Sequence, residues 1–164
     1  MALFVFGYGT FISKNFRRYP IVAEISGYKR IYHPDDLYGL WYPFVLPSQS
    51  SRVRGILMYE KDDSLLNYWD HYEGYPELYT RVLVPVEIIS DRYDLLNDVD
   101  KNNIRAWVYV PSERTESLTL DRIFKRMRRK NKKTYDEMMA LDLWLEKLKR
   151  EDPEIPKLLP ELFE

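Results

Sequence analysis

The sequence has no cysteine and only two histidines, His33 and His71, among its 164 residues. Without cysteine the chain has no disulfide bond, no thiol nucleophile and no thiolate metal site. Two histidines are too few for a histidine metal cluster. We therefore expect no bound metal.

Long hydrophobic runs are also missing, since no apolar stretch approaches the roughly 20 residues of a membrane-spanning helix. The first six residues are apolar, but no basic leader precedes them and Gly7 ends the run, so they predict a strand and not a signal peptide. With 45% hydrophobic and 15% aromatic residues, the composition is typical of one globular domain. We expect a soluble, cytoplasmic protein without membrane contact.

A strong net charge is the third absence, because 25 basic residues nearly balance 26 acidic ones. This balance argues against the basic field of a nucleic-acid-binding protein. Locally the charge is segregated, with a dense basic run at residues 125–133 and an acidic segment at residues 134–164. We interpret the basic run as a solvated helix end and turn, or alternatively as a patch for nucleic acid or another anionic ligand.

Residues 62–74 have the pattern of a short helix. Residue types that favour the N-cap occupy residues 62–64, apolar residues follow at helical spacing, and Gly74 is of the type that commonly follows a helix end. The pattern predicts a helix that ends near Glu73. This acid then lies at the negative end of the helix dipole.

Two effects are expected to raise the pKa of the Glu73 carboxyl. The helix dipole disfavours the ionised form, and so does the partial burial that neighbouring aromatic rings imply. These rings belong to Trp69, Tyr72, Tyr75 and Tyr79. Glu73 is therefore our candidate for a general acid or base near neutral pH. The alternative is an exposed glutamate in an ordinary turn, because perturbed sites are a minority of Glu-Gly turns.

A glycine loop lies near the N-terminus. Residues 3–6 are fully apolar, as in a buried strand, and the Gly-Tyr-Gly-Thr sequence of residues 7–10 ends this strand. Apolar residues from Phe11 onward then predict a short helix or turn. The free backbone N–H groups of the loop and the first helical turn would form a cradle for an anion such as a carboxylate. An ordinary tight turn is the alternative.

The rest of the first two thirds of the chain predicts mainly strands. The strand patterns lie at residues 21–32, with a bend at Gly27, and at residues 53–60, 81–89 and 104–110. Residues 41–47 are apolar but contain two prolines, which predicts an extended edge or a pocket lining. This mixture predicts a small, partly closed mixed sheet.

After Pro111 the pattern becomes helical. Apolar residues within 120–127 form one helical face, and a capping-box sequence at residues 134–137 begins a second helix that ends at Asp152-Pro153. Residues 155–164 predict an irregular tail. Each helix has an apolar face that needs cover, so we expect both helices to pack on the same domain.

Three segments resemble, in order and spacing, the gamma-glutamylcyclotransferase-like (BtrG-like) family. They are residues 4–10 (FVFGYGT), residues 55–60 (GILMYE), and residues 69–74 (WDHYEG) followed by Tyr79-Thr80-Arg81. Tyr42-Pro43 and residues 107–109 also resemble the family pattern. The resemblance covers roughly residues 3–110 and implies an α+β fold with a small mixed β-barrel and flanking helices, which we assign to residues 1–111. Residues 112–164 have no counterpart in the compact members of the family, and their helical pattern predicts a C-terminal helical extension packed on the same domain.

The resemblance also implies an activity and a set of site residues. Glu73 would be the catalytic acid/base, and the substrate would be bound by Gly7, Tyr8, Gly9, Thr10, Phe11 and Tyr79. The implied reaction releases 5-oxoproline from a small γ-glutamyl amine or peptide by attack of the substrate's own α-amine, without a cofactor. At Phe11 the sequence departs from the leucine that is commoner in the family.

A competing hypothesis is a non-catalytic binding module of the same fold. It would keep the pocket and use the basic C-terminal helices to hold a protein or nucleic-acid partner. A related question is whether the helices of residues 112–150 restrict the pocket mouth or form a buttress on the far side, and the sequence leaves both arrangements open.

Overall fold

The protein is described by a computed structural model that defines residues 2–34, 42–116 and 142–164. Its five strands are β1 (Leu3–Gly7), β2 (Val22–Ile31), β3 (Phe44–Glu60), β4 (Tyr79–Ser90) and β5 (Ile104–Pro111). They close into a barrel in the order β1-β3-β2-β4-β5. Neighbouring strands are antiparallel except β1 and β5, which are parallel at Val5 and Trp107. The predicted small mixed barrel is confirmed.

Alternation along the strands separates two apolar clusters, as expected for a closed barrel. Phe6 of β1 packs with side chains from the other four strands, and this cluster fills the barrel. Leu3 and Val5, on the opposite face of β1, belong to a second cluster that includes side chains of the helices. We call the second set the outer cluster. The barrel thus has a packed interior and one face covered by helices.

The helices that lie wholly within the described residues are α1 (Thr10–Asn15), α2 (Leu66–Glu73), α3 (Trp144–Glu151) and α4 (Glu154–Leu158), followed by a 3-10 turn at Pro160–Phe163. Helix α2 ends as predicted, because Gly74 has a left-handed φ of 70°. Its predicted N-cap at residues 62–64 is wrong. The capping position is Leu65, and the Asp62 carboxylate instead accepts a hydrogen bond from the Ser64 N–H at 2.9 Å, which closes a separate turn ahead of the helix.

Strand β3 corrects a second prediction. Residues 41–47 and 53–60 were expected to be separate segments, but β3 runs without a break from Phe44 to Glu60. In the part of the chain that the structure describes, the first residues of β3 pair with β2 on one side and with no strand on the other. Proline, which has no N–H to donate, is tolerated at such an edge position, as at Pro47. The predicted bend at Gly27 is confirmed by its φ of 85° and by a shift in register beside it.

The C-terminal residues are more regular than predicted. In place of an irregular tail, α4 and the 3-10 turn place Ile155, Leu159 and Leu162 in the outer cluster. Proline is compatible with both elements, because Pro156 and Pro160 lie in first turns, where backbone N–H groups lack helical partners.

The second predicted helix is wrong in its continuity. Asp142 forms a β-bridge with Tyr32 and Leu143 is the capping position, so α3 begins only at Trp144; its end before Asp152 is as predicted. The capping box at residues 134–137, the basic run at residues 125–133 and the helical face at residues 120–127 lie outside the described residues. The division between residues 111 and 112 into a barrel and an extension stays a prediction.

Candidate active site

A cavity of about 280 Å³ opens where the loop after β1 faces the end of α2. It is lined by Phe6, Tyr8, Gly9, Thr10, Phe11, Tyr42, Pro43, Tyr72, Glu73, Leu78, Tyr79 and Tyr109. Six of the seven predicted site residues are therefore brought together, and Gly7 is not in the lining. Among the residues that the structure describes, Glu73 is the one charged residue of the lining.

The loop of residues 7–10 is shaped by close contacts at its glycines. A Cβ atom on Gly7 would lie 2.8 Å from Cβ of Phe11, and one on Gly9 would lie 2.7 Å from Cγ of Pro43. Both distances are shorter than non-bonded carbon atoms adopt, so a residue larger than glycine at either position would displace the loop. Glycine is thus required here for packing, and it keeps the loop backbone at the cavity wall.

Tyr8 anchors the loop from within. Its side chain is buried, and its hydroxyl donates a hydrogen bond of 2.6 Å to the backbone carbonyl of Tyr109. Across the cavity, the hydroxyls of Thr10 and Tyr72 lie 2.8 Å apart and join the loop to α2. The loop is therefore fixed both to β5 and to the helix that contains Glu73.

Glu73 is the last residue of α2 and is partly buried. Burial raises the pKa of its carboxyl to about 7. Among the described residues, no side chain donates a hydrogen bond to this carboxyl that would favour its ionised form. A carboxyl group with this pKa is present in both protonation states near neutral pH, as general acid-base chemistry requires.

The aromatic surroundings of Glu73 differ in part from the predicted set. Tyr72 and Tyr79 line the cavity, whereas Trp69 is buried against Phe11 and Tyr19, with ring centroids 6.4 Å from each. The guanidinium of Arg81 lies over the ring of Tyr75, 4.6 Å from the ring centroid. Trp69 therefore anchors the helix, and Tyr75 contributes to a separate cluster.

Three buried or partly buried phenols surround the carboxyl. Burial raises the pKa of Tyr8, Tyr79 and Tyr109, and the negative charge of Glu73 raises each of them further. The hydroxyls consequently stay protonated and act as donors at neutral pH. The sequence analysis did not name Tyr109 as a site residue. The available signal was that Tyr109 and Trp107 are two residues apart in β5 and therefore lie on the same face of the strand.

An ion pair fixes the last turn of α2 to the barrel. Nε and one terminal nitrogen of Arg81 donate to the two oxygens of Asp70 at 3.0 and 3.3 Å, and the Tyr109 hydroxyl donates to Asp70 at 2.5 Å. The guanidinium also lies 4.5 Å from the Trp107 ring centroid. Because Asp70 is three residues before Glu73 on the helix, this network positions the candidate acid/base.

Neither a metal site nor a membrane-spanning helix is found in residues 2–34, 42–116 and 142–164. No group of three or more potential metal-binding His, Cys, Asp or Glu side chains occurs there. No helix in these ranges has the length and apolar character needed to cross a membrane.

The comparison with protein families decides the relationship. A family described as gamma-glutamyl cyclotransferase, AIG2-like, matches residues 5–127, which is most of the chain. The chain belongs to this family. Membership confirms the resemblance and supports gamma-glutamyl cyclotransferase-like activity on small γ-glutamyl substrates in general. A comparison with curated protein sequences found no match.

Two solved structures are similar to this chain. A yeast structure described as a gamma-glutamyl cyclotransferase specific to glutathione is 16% identical, with a TM-score of 0.54 over 98% of this chain and 95% of that one. An AIG2-like protein from Mus musculus is 17% identical, with a TM-score of 0.49 over 68% and 78% of the two chains. At these identities the likeness to the yeast structure shows the shared fold alone.

Proposed function

We propose that this member of the family releases 5-oxoproline from a small γ-glutamyl amine or peptide, with Glu73 as general acid/base. The observation that carries the proposal is a carboxyl group whose pKa is raised to about 7, in the same cavity as the loop of residues 8–10. The cavity of about 280 Å³ is at the small end of ligand sites, which favours a compact substrate.

The reaction needs one proton acceptor that later becomes a donor. Glu73 takes a proton from the substrate's α-ammonium, and the free amine attacks the side-chain carbonyl carbon, which closes a five-membered ring. The tetrahedral intermediate then expels the original amine, which receives the proton from Glu73. The ring nitrogen loses its second proton to the released amine, so that the products are the neutral lactam and an ammonium ion. Atoms and charge balance without a cofactor. Because both reacting groups belong to one molecule, the enzyme gains rate by holding the glutamyl chain folded back.

Other groups in the cavity have supporting roles. Backbone N–H groups of the loop would hold the glutamyl α-carboxylate, as oriented amides do at anion sites. The Tyr8 hydroxyl is bonded to a backbone carbonyl, and the Tyr109 hydroxyl is bonded to Asp70. Among the described residues the Tyr79 hydroxyl forms no hydrogen bond, so it is our candidate donor to the oxyanion of the intermediate.

The test is 5-oxoproline release from a panel of γ-glutamyl amines, γ-glutamyl amino acids and glutathione. We expect release by the wild type and a loss of about 10²- to 10⁴-fold in Glu73→Gln, which keeps the side-chain shape but cannot accept the proton. The matched control is Glu77→Gln, which changes an exposed glutamate outside the cavity lining and should retain full activity. Unchanged activity in Glu73→Gln would remove Glu73 from the mechanism.

The hypothesis of a binding module that uses the basic run at residues 125–133 rests on residues outside the described part of the chain. The same holds for the question whether the helices of residues 112–150 restrict the pocket mouth, because most of that range lies outside the described residues. Neither idea gains support from the described residues.

A further inference from the structure

A buried arginine lies directly behind the substrate loop. Arg30, on β2, has 3% of its surface exposed. One terminal nitrogen of its guanidinium donates to the backbone carbonyl of Tyr8 at 3.1 Å and to that of Arg54 at 2.9 Å. Its Nε donates to the carboxylate of Asp142 at 3.1 Å. The guanidinium is therefore fixed by three partners, one of which belongs to the loop.

Burial of a guanidinium costs a large solvation free energy, which an opposite charge and hydrogen-bond acceptors must offset. Burial lowers the pKa of Arg30, and the Asp142 carboxylate opposes this change. Asp142 itself is partly exposed, with 32% of its side chain accessible. The negative charge of the pair thus faces solvent in part, whereas the positive charge stays inside, under the loop.

Asp142 reaches this position through the C-terminal part of the chain, beyond the residues that match the family. It forms a parallel bridge with Tyr32, and the next residue, Leu143, donates its N–H to the Tyr32 carbonyl at 3.1 Å. The ring of Trp144 packs edge-on against Tyr32 at a centroid distance of 4.9 Å. The C-terminal segment therefore holds the counter-charge of Arg30 firmly against β2.

The bond from Arg30 to the Tyr8 carbonyl acts on the peptide that joins Tyr8 to Gly9. A cationic donor on a carbonyl polarises its peptide group and strengthens the N–H on the other side as a donor. Gly9 lines the cavity, and among the described residues no lysine or arginine does so. Within this part of the chain, Arg30 is the buried positive charge next to the substrate loop.

We propose that Arg30 is a positioning residue, which lies behind the loop and acts through the Tyr8–Gly9 peptide to favour binding of the substrate α-carboxylate. Asp142 partly neutralises the positive charge of Arg30. This inference rests on the proposed function for the identity of the ligand. It makes a distinctive claim: removing Arg30 should weaken carboxylate binding, whereas removing the charge of Asp142 should leave it unchanged or strengthen it.

The experiment compares two ligands that share a lactam ring and differ by one carboxylate, L-5-oxoproline and 2-pyrrolidinone. Their dissociation constants are measured by NMR titration of the wild type, Arg30→Met and Asp142→Asn. We expect Arg30→Met to weaken 5-oxoproline binding about tenfold, as for a charge several ångströms away at intermediate dielectric. Asp142→Asn, which keeps an acceptor oxygen, should bind 5-oxoproline as tightly as the wild type or more tightly. Binding of 2-pyrrolidinone should not change.

Glu154→Gln is the matched control, because it removes another ion pair of the C-terminal segment, with Arg17, that does not contact the loop. If Arg30→Met does not fold, Arg30→Gln replaces it with the same expectation. Equal weakening of both ligands in the Arg30 variant, weakening of 5-oxoproline in Asp142→Asn, or a wild type that does not prefer 5-oxoproline would each overturn the inference. Failure of the proposed function is a different result, namely no 5-oxoproline release from any γ-glutamyl compound by a wild type that still binds the carboxylate.

Discussion

At the residue scale, the candidate chemistry depends on one carboxyl group beside neutral phenols. Burial raises the pKa of Glu73 to about 7, whereas the pKa values of Tyr8, Tyr79 and Tyr109 are shifted upward, away from neutral pH. Around pH 7, Glu73 is therefore the group in this set that exchanges a proton. The phenols provide fixed dipoles that do not change their protonation state during the reaction.

This difference predicts the pH dependence of the activity. Only the ionised form of Glu73 accepts a proton, and its raised pKa means that the protonated form predominates below pH about 7. We expect kcat/KM for 5-oxoproline release to rise about tenfold per pH unit at low pH and to level off above pH about 7. The Glu77→Gln control should show the same rise of kcat/KM with pH. A midpoint near 4.5, the ordinary value for a glutamate, would contradict burial of Glu73 in the working enzyme.

The Tyr79 hydroxyl gives a second prediction at this scale. If it stabilises the oxyanion, its interaction is stronger in the transition state than with bound substrate, so Tyr79→Phe should lower kcat and leave KM nearly unchanged. The expected loss is on the order of 10²-fold, as for removal of one oxyanion donor. Tyr93→Phe, at an exposed tyrosine outside the cavity lining, is the control. A rise in KM with constant kcat would instead assign Tyr79 to substrate binding.

At the element scale, α2 is a two-turn helix held by two consecutive residues near its middle. Trp69 packs into the outer cluster, and Asp70 is held by Arg81 from β4 and Tyr109 from β5. An isolated helix of this length is unstable in water. The position of Glu73 therefore depends on these tertiary contacts more than on helix propensity.

Removal of the Arg81 side chain tests this dependence. Arg81→Met leaves the largely buried Asp70 carboxylate without its ionic partner, and we expect the free energy of unfolding to fall by about 2 to 4 kcal/mol. Urea unfolding measures this change. The control is Arg92→Met, whose ion pair with Glu161 is more exposed and should contribute less than about 1 kcal/mol. Equal effects in the two variants would show that the Asp70 pair has no special role in the fold.

At the scale of the whole molecule, local patterns predicted the elements but not how they meet. Apolar runs placed β1, β4 and β5, and Gly74 marked the end of α2, because each signal lies within a few residues. The closure order of the barrel depends on pairing between distant strands, such as Val5 with Trp107, which periodicity does not encode. For the same reason the sequence indicated Glu73 and the glycine loop but missed Arg30, whose proposed role follows from its contact with Tyr8, 22 residues away in the sequence.

The C-terminal residues offer the last prediction, which concerns the molecule as one unit. Leu162 has 1% of its surface exposed and packs in the outer cluster with Val5 and Phe16 among its members. Its truncation to alanine should leave a cavity and lower the free energy of unfolding by about 2 to 4 kcal/mol. The catalytic constants of the folded protein should stay unchanged, because Leu162 is not in the cavity lining.

The measurement is thermal or urea unfolding of Leu162→Ala, followed by circular dichroism in both the far-UV and the near-UV. The control is Leu95→Ala, at a leucine with 40% exposure, where a change within about 0.5 kcal/mol is expected. If the C-terminal residues and the barrel form one cooperative unit, as we propose, the two probes give the same midpoint in each protein. Separate transitions, or a Leu162→Ala variant as stable as Leu95→Ala, would mean that the C-terminal residues fold apart from the barrel, and the Asp142 contact to Arg30 would then be lost before the barrel unfolds.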